Sequence, residues 1–440
     1  MSDDMTKNAS FKKKVRARMA ETGERYATAR MKLLAQRAGL SVDGALPGYA
    51  FHRGEHSDLA RLTQALAQWK TTSPSTMAFD EATVFALSGG VGFMYFVFEY
   101  DGHPPMMTFT CRSWSMPGPL VARVLQHAGV EASVSQTGSA KVAQKALDAA
   151  LDDEQVAHVT VDLASMPYAG ADPMWKGQWP RQVNVVGREG DRYLIDDGGP
   201  LWLDKDVLAD ARAACRKEKN RLVVASSSSS TVTADEAARA ALGFCAENYV
   251  TSPVKGFAGN FGLKGLAKFA DALQNPKGKK SWAKVFSTSE LAFVGLLRLF
   301  ECANMEYTSP MGGRAQFAAA LRSMTTSTSL DNDGLAQAAA LSDQSAALFA
   351  QLGDDAVALG GDAVERAVAL SEDIAEVRAS GRDDAGDVVL DLRAAQKGLA
   401  AELQLSDDAR VDGFAALGAH VAGIVDVETQ LVEVLTSLTT

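Results

Sequence analysis

Gly54-Glu55-His56-Ser57-Asp58-Leu59-Ala60-Arg61-Leu62 opens the stretch that decides the fold, and Leu87-Ser88-Gly89-Gly90-Val91-Gly92-Phe93-Met94-Tyr95-Phe96 closes it. From Ser57 to about Trp69 the apolar residues recur at helical spacing, which predicts an amphipathic helix. A short polar loop follows, then an apolar strand over 91–98. Working outward, helices are expected over about 117–128 and 139–151, strands near 156–162, 182–187 and 192–196, and a helix from Lys205 to Cys215. The alternation in Val183-Asn184-Val185-Val186 and the turn Arg188-Glu189-Gly190-Asp191 suit an antiparallel hairpin. Residues 41–225 therefore read as one α+β block.

On either side the pattern is helical. Residues 1–40 form a basic helical segment, with Phe11, Val15 and Met19 on one stripe and ten Lys or Arg against four Asp or Glu. Its run from Arg16 to Tyr26 resembles short N-terminal segments of otherwise unrelated bacterial proteins. Ser226 to Ser230 reads as a flexible linker. Thr233-Ala234-Asp235-Glu236 reads as a capping box opening a helix. A helical block over 226–330 and an acidic helical region over 331–440 follow. The last of these carries twenty-one Asp or Glu against six Lys or Arg. Glycines near 353, 360–361, 381 and 413 are expected to punctuate its helices.

Four motifs in order carry a family resemblance. They are Gly54-Glu55-His56-Ser57, Asp162-Leu163 with Met166-Pro167-Tyr168, the strand pair ending at Asp196-Asp197, and Asn260-Phe261-Gly262-Leu263-Lys264-Gly265-Leu266 with Gly312-Gly313-Arg314. Together they resemble the family of butirosin biosynthesis protein H. The resemblance implies a papain-like domain followed by a mainly α-helical domain of unknown function. It also implies transfer of an acyl group from an acyl carrier protein to an amine. In that family the first helix opens Gly-x-His-Cys, a histidine begins the first strand of the pair, and an acidic residue ends the second. Here Ser57 stands in the cysteine's place and Arg181-Gln182 where the histidine belongs, while Asp196 or Asp197 matches the acid.

Papain-type chemistry needs a thiolate at a helix N-terminus, a histidine to take its proton and a third group to orient the ring. Ser57 is a weaker nucleophile without a base. Arg181 stays protonated, and Gln182 takes no proton. Ser57 therefore reads first as an N-cap. His56 is the remaining base, although its side chain lies about 100 degrees around the helix from that of Ser57. His158 reads as a structural strand histidine. Tyr168, Trp175, Trp179 and Trp202 are expected at the border of the acceptor pocket, beside Arg181 and Gln182. Gly89-Gly90-Val91-Gly92 lacks a phosphate-loop Lys-Ser/Thr and leads into a strand, so it is expected to pack against the 57–69 helix. Asp162, Asp196 and Asp197 have no His or Cys at ligand spacing. No metal and no cofactor is expected.

The four cysteines show no Cys-x-x-Cys pairing, as in a reducing compartment. The apolar run over Val84 to Phe98 is too short and broken to span a bilayer, so a cytoplasmic protein with no membrane partner is expected. The leading expectation is a catalytically degenerate protein acting in binding or assembly, as a homo-oligomer. One alternative is an active acyltransferase or amide hydrolase using Ser57, with His56 and Asp197. Another is docking to a protein or nucleic acid through Lys12, Lys13, Lys14, Arg16 and Arg18.

Overall fold

The computed structural model describes residues 17–18, 42–71, 73–74, 77–110, 117–225, 230–306, 310–380, 382 and 384–440. Of the basic segment, Lys12, Lys13, Lys14 and Arg16 lie outside the described residues. Ala17 and Arg18 are helical, and Arg18 makes a contact of its own. Serines 226–229 also lie outside.

Six antiparallel strands form the sheet of an α+β fold: β3 (Ala132–Ser135), β4 (Ala157–Asp162), β5 (Pro180–Glu189), β6 (Arg192–Asp196), β7 (Pro200–Asp204) and β8 (Leu222–Ala225), in the order β3-β8-β4-β5-β6-β7. The β5–β6 hairpin turns at Gly190, whose φ of +55° is left-handed, as the Glu-Gly-Asp sequence suggested. Every residue of β4 is buried, so both faces of the sheet are covered. Helix α1 (Ser57–Gln68) packs on β5 and β4 through Leu59, Leu62 and Leu66.

A pair of strands, β1 (Met94–Phe98) and β2 (Met106–Thr110), leaves this layer and docks on the helices. Phe93 stacks on Phe109 at 5.6 Å, on Phe269 at 6.2 Å and on Phe349 at 6.3 Å, rings drawn from three distant parts of the chain. Such pairs add to the burial of their own large area. The Trp282 indole donates to the Tyr95 hydroxyl at 3.1 Å across the same boundary. The capping box holds: Thr233 and Glu236 satisfy each other's amides at the start of α6 (Ala234–Val250).

Several expectations change. Within the stretch expected to be loop and then strand lies α2 (Glu81–Leu87), capped by Asp80. Gly89 and Gly90, both at positive φ, pack against other neighbours than α1. A Cβ on Gly89 would meet the Phe244 ring at 2.6 Å, and one on Gly90 the Phe317 ring at 2.6 Å. Gly353 and Gly413 do not end helices. α11 (Asn332–Arg378) runs through Gly353, and α13 (Asp407–Thr439) through Gly413. Gly413 lets α13 close on Leu359, where a Cβ would come within 2.5 Å. At Gly361, φ 58° and ψ −153° kink α11 without stopping it. Helices α9 (Ser289–Asn304), α11 and α12 (Ala385–Gly398) bring their polar ends to the mouth of the sheet layer, above α1. No helix among the described residues is long and apolar enough to cross a membrane.

Candidate functional site

Ser57 is placed by its neighbours. The Glu81 carboxylate accepts from the Glu55 amide at 2.9 Å and the His56 amide at 2.6 Å. Gly54, at φ +65°, lies so close to Ala60 that a Cβ would come within 2.2 Å. The turn therefore needs glycine. His56, not Ser57, is the N-cap, because its Nδ1 accepts from the Leu59 amide at 3.3 Å. The imidazole has displaced the serine that the sequence favours for this role, since Glu81 pins the backbone one residue earlier. Ser57 is the first helical residue, and its hydroxyl oxygen is buried with no hydrogen-bond partner among the described residues. No ring nitrogen is within reach of it.

Opposite, at the start of β5, Arg181 donates from Nε to Asp197 Oδ1 at 2.6 Å, and the Tyr168 hydroxyl donates to Asp197 Oδ2 at 2.6 Å. Burial works against the Arg181 charge, but Asp197 and Tyr168 more than offset it, and its pKa rises. Burial and the Asp197 charge push the Tyr168 phenol well up. Both groups thus keep their protons. Gln182 turns away: its side chain donates to Thr160 at 2.8 Å, and its amide to Asp58 at 3.0 Å. Asp196 is a separate, buried acid that accepts from Tyr49 at 2.7 Å and lies 3.4 Å from Arg61 Nε. Of the two aspartates, only Asp197 faces the site.

Ser57, Arg181, Asp197, Tyr168 and Trp179 line one cavity of about 300 Å³. Trp175 and Gln182 are outside its lining, and Trp202 lies in β7 under Arg192. His158 is fully buried on Asn184, and burial pushes its pKa down to about 4. Asp162 is absorbed in holding the 165–179 loop, accepting from Ser165 at 2.6 Å and from the Gly177 amide at 2.8 Å. Cys215, Cys245 and Cys302 are buried free thiols, each pushed up to about 12 chiefly by burial. Among the described residues no three His, Cys, Asp or Glu side chains gather as metal ligands.

The far wall comes from helices that sequence reasoning did not connect with the site. Arg298 bridges Glu301 and Glu306, each at 2.8 Å. Ser371 donates to Glu301 at 2.8 Å. Although burial opposes it, the Arg298 charge brings the Glu301 pKa down. Arg378 and Arg393 complete the wall. One signal was available: Arg298 and Glu301 interrupt the otherwise apolar Leu291-to-Ala303 run of α9, and a charge pair in such a run needs a polar destination.

Residues 60–198 match the sequence model of the family described as butirosin biosynthesis protein H, N-terminal. The match takes in Arg181 and Asp197 and begins three residues after Ser57. No curated protein matches the chain.

Proposed function

We propose that this chain uses a papain-like frame, similar to that of butirosin biosynthesis protein H, to bind a ligand and not to transfer an acyl group. The observation that carries this reading is the Arg181–Asp197 pair at 2.6 Å. It occupies the place where the resemblance calls for a histidine and its acid. A guanidinium cannot take the proton of Ser57. Two further features support it. The Ser57 hydroxyl makes no hydrogen bond to an imidazole among the described residues, and direct general-base catalysis requires that contact. His56, the remaining base, is engaged in capping α1 through Nδ1.

The test is covalent labelling. Incubation with a fluorophosphonate or an activated acyl ester, followed by intact-mass measurement, should leave the protein unmodified at Ser57. An adduct that disappears in Ser57→Ala would establish a working nucleophile and overturn the reading.

A further inference from the structure

Six arginines and four carboxylates line the cavity. One of the arginines, Arg61, is matched from behind the wall by Asp196. Asp58, likewise behind the wall, acts on Arg181. The charges are uneven in space. Both Asp197 oxygens are occupied, by Arg181 and Tyr168, and Arg298 holds Glu301 and Glu306. Arg378 and Arg393 have no carboxylate within ion-pair distance among the described residues. Arg378 engages only the Ala169 carbonyl, from Nε at 2.8 Å and Nη2 at 2.5 Å, and lies 5.5 Å from the centre of the Trp179 ring. Arg393 makes no hydrogen bond among the described residues. Burial, then the charges of Arg393 and Arg181, push the Arg378 pKa down to about 10, so three like charges act on one another here. Glu301 and Glu306 pull the other way without offsetting this load, the guanidinium stays charged, and a bound anion would relieve it further. On the opposite wall the N-terminus of α1 presents Ser57, whose buried hydroxyl has no hydrogen-bond partner among the described residues. Leu163, Trp179, Met305 and Ile374 supply apolar wall.

We infer that the cavity binds a small organic monocarboxylate, its carboxylate held by Arg378 and Arg393 and its short apolar body against Trp179 and Ile374. A carboxylate fits the two guanidiniums that have no ion pair among the described residues. A phosphate dianion would bring a second negative charge beside Glu301, Glu306 and Asp197. This deepens the binding function proposed above and rests on it.

Hexanoate is the probe, with hexanamide as its uncharged counterpart and inorganic phosphate as the competing anion, each titrated into the full chain by calorimetry at low salt. Hexanoate should bind, and hexanamide should bind at least about tenfold more weakly, the scale of a charge-assisted hydrogen bond. Arg393→Gln should lower hexanoate affinity by a similar factor without moving the thermal midpoint, since Arg393 makes no internal hydrogen bond among the described residues. Equal binding of acid and amide, preference for phosphate, absence of hexanoate binding, or unchanged affinity in Arg393→Gln would each overturn the assignment. These results are independent of Ser57 labelling. A Ser57 adduct would sink the silent-site reading and leave carboxylate binding standing, whereas failed hexanoate binding sinks only the ligand class.

Discussion

Arg314–Glu428 and Arg181–Asp197 are both arginine–carboxylate pairs between distant segments, and they serve opposite ends. Arg314 and Glu428 are 2.7 Å apart and both 0% exposed. Arg314 also donates to the Gly92 carbonyl at 2.9 Å, the Gly312 carbonyl at 3.1 Å and the Tyr249 hydroxyl at 3.1 Å, while Ser345 donates to Glu428 at 2.6 Å. The pair clamps the entry to β1 onto α6 and α13, and no ligand reaches it. Arg181 and Asp197 are 22% and 5% exposed and open on the cavity. Burial among several hydrogen-bond partners makes a charge pair a structural fastener. The same pair left partly wet keeps a field that a ligand can feel.

Breaking the sealed pair should have the largest effect. Glu428→Gln leaves Arg314 buried without its counter-charge, and urea denaturation should report a loss of about 3–5 kcal/mol. A loss below that of Asp197→Asn would reverse the comparison.

His158 sharpens it, being as deeply buried but with no counter-charge. Its folded pKa of about 4 lies below the ordinary 6.5, so the unfolded chain takes up a proton first as pH falls. Stability should therefore be full above pH 6.5, fall by about 3 kcal/mol between 6.5 and 4, and lose nothing more from this group below 4. Denaturation midpoints across that range should slope less in His158→Gln. Identical slopes would assign the acid sensitivity elsewhere.

Asp197→Asn comes next. It removes a charge and leaves one acceptor oxygen for the two donors Arg181 and Tyr168, while water reaches Arg181. A loss of about 1–2 kcal/mol is expected, read by the same denaturation. Hexanoate affinity should rise several-fold, because the cavity gains positive charge. Unchanged or weaker affinity would show that the open pair does not shape the field.

The smallest effect marks the wet extreme. Arg366 and Glu402 form a pair with both side chains 50% exposed. Arg366→Ala should leave the denaturation midpoint within the scatter of repeats, as surface pairs contribute little. A clear shift would mean that exposure does not rank these pairs.

Much of the sheet layer was legible because its signals are local. The helix from Ser57, the strands over 157–162, 180–189 and 192–196, and the Gly190 turn all follow from spacing and turn chemistry within a dozen residues. The strands β2, β3, β7 and β8 were missed. β3 and β8, with only four residues each, give too short a pattern for periodicity to register. The glycines of the C-terminal helices misled for a related reason. A glycine that ends a helix and one that admits a neighbour at close range look alike in sequence, and only the Leu359 contact at Gly413 separates them.

By itself, the sequence determined that a helix opens at Ser57 and that a strand pair carries Arg181 and Gln182 on its first strand and Asp196-Asp197 at the end of its second. It also determined the α+β class and the capped start at Thr233, because each rests on side chains bonding backbone only a few positions away. Only the tertiary structure decided that His56 caps α1 in place of Ser57, since the Glu81 carboxylate from another helix fixes that backbone. Only it decided that Arg298, Arg378 and Arg393 close a cavity over Ser57. Their positions depend on how α9, α11 and α12 pack across a shared core, and the energy that sets such packing is spread over many buried contacts with no single motif to read.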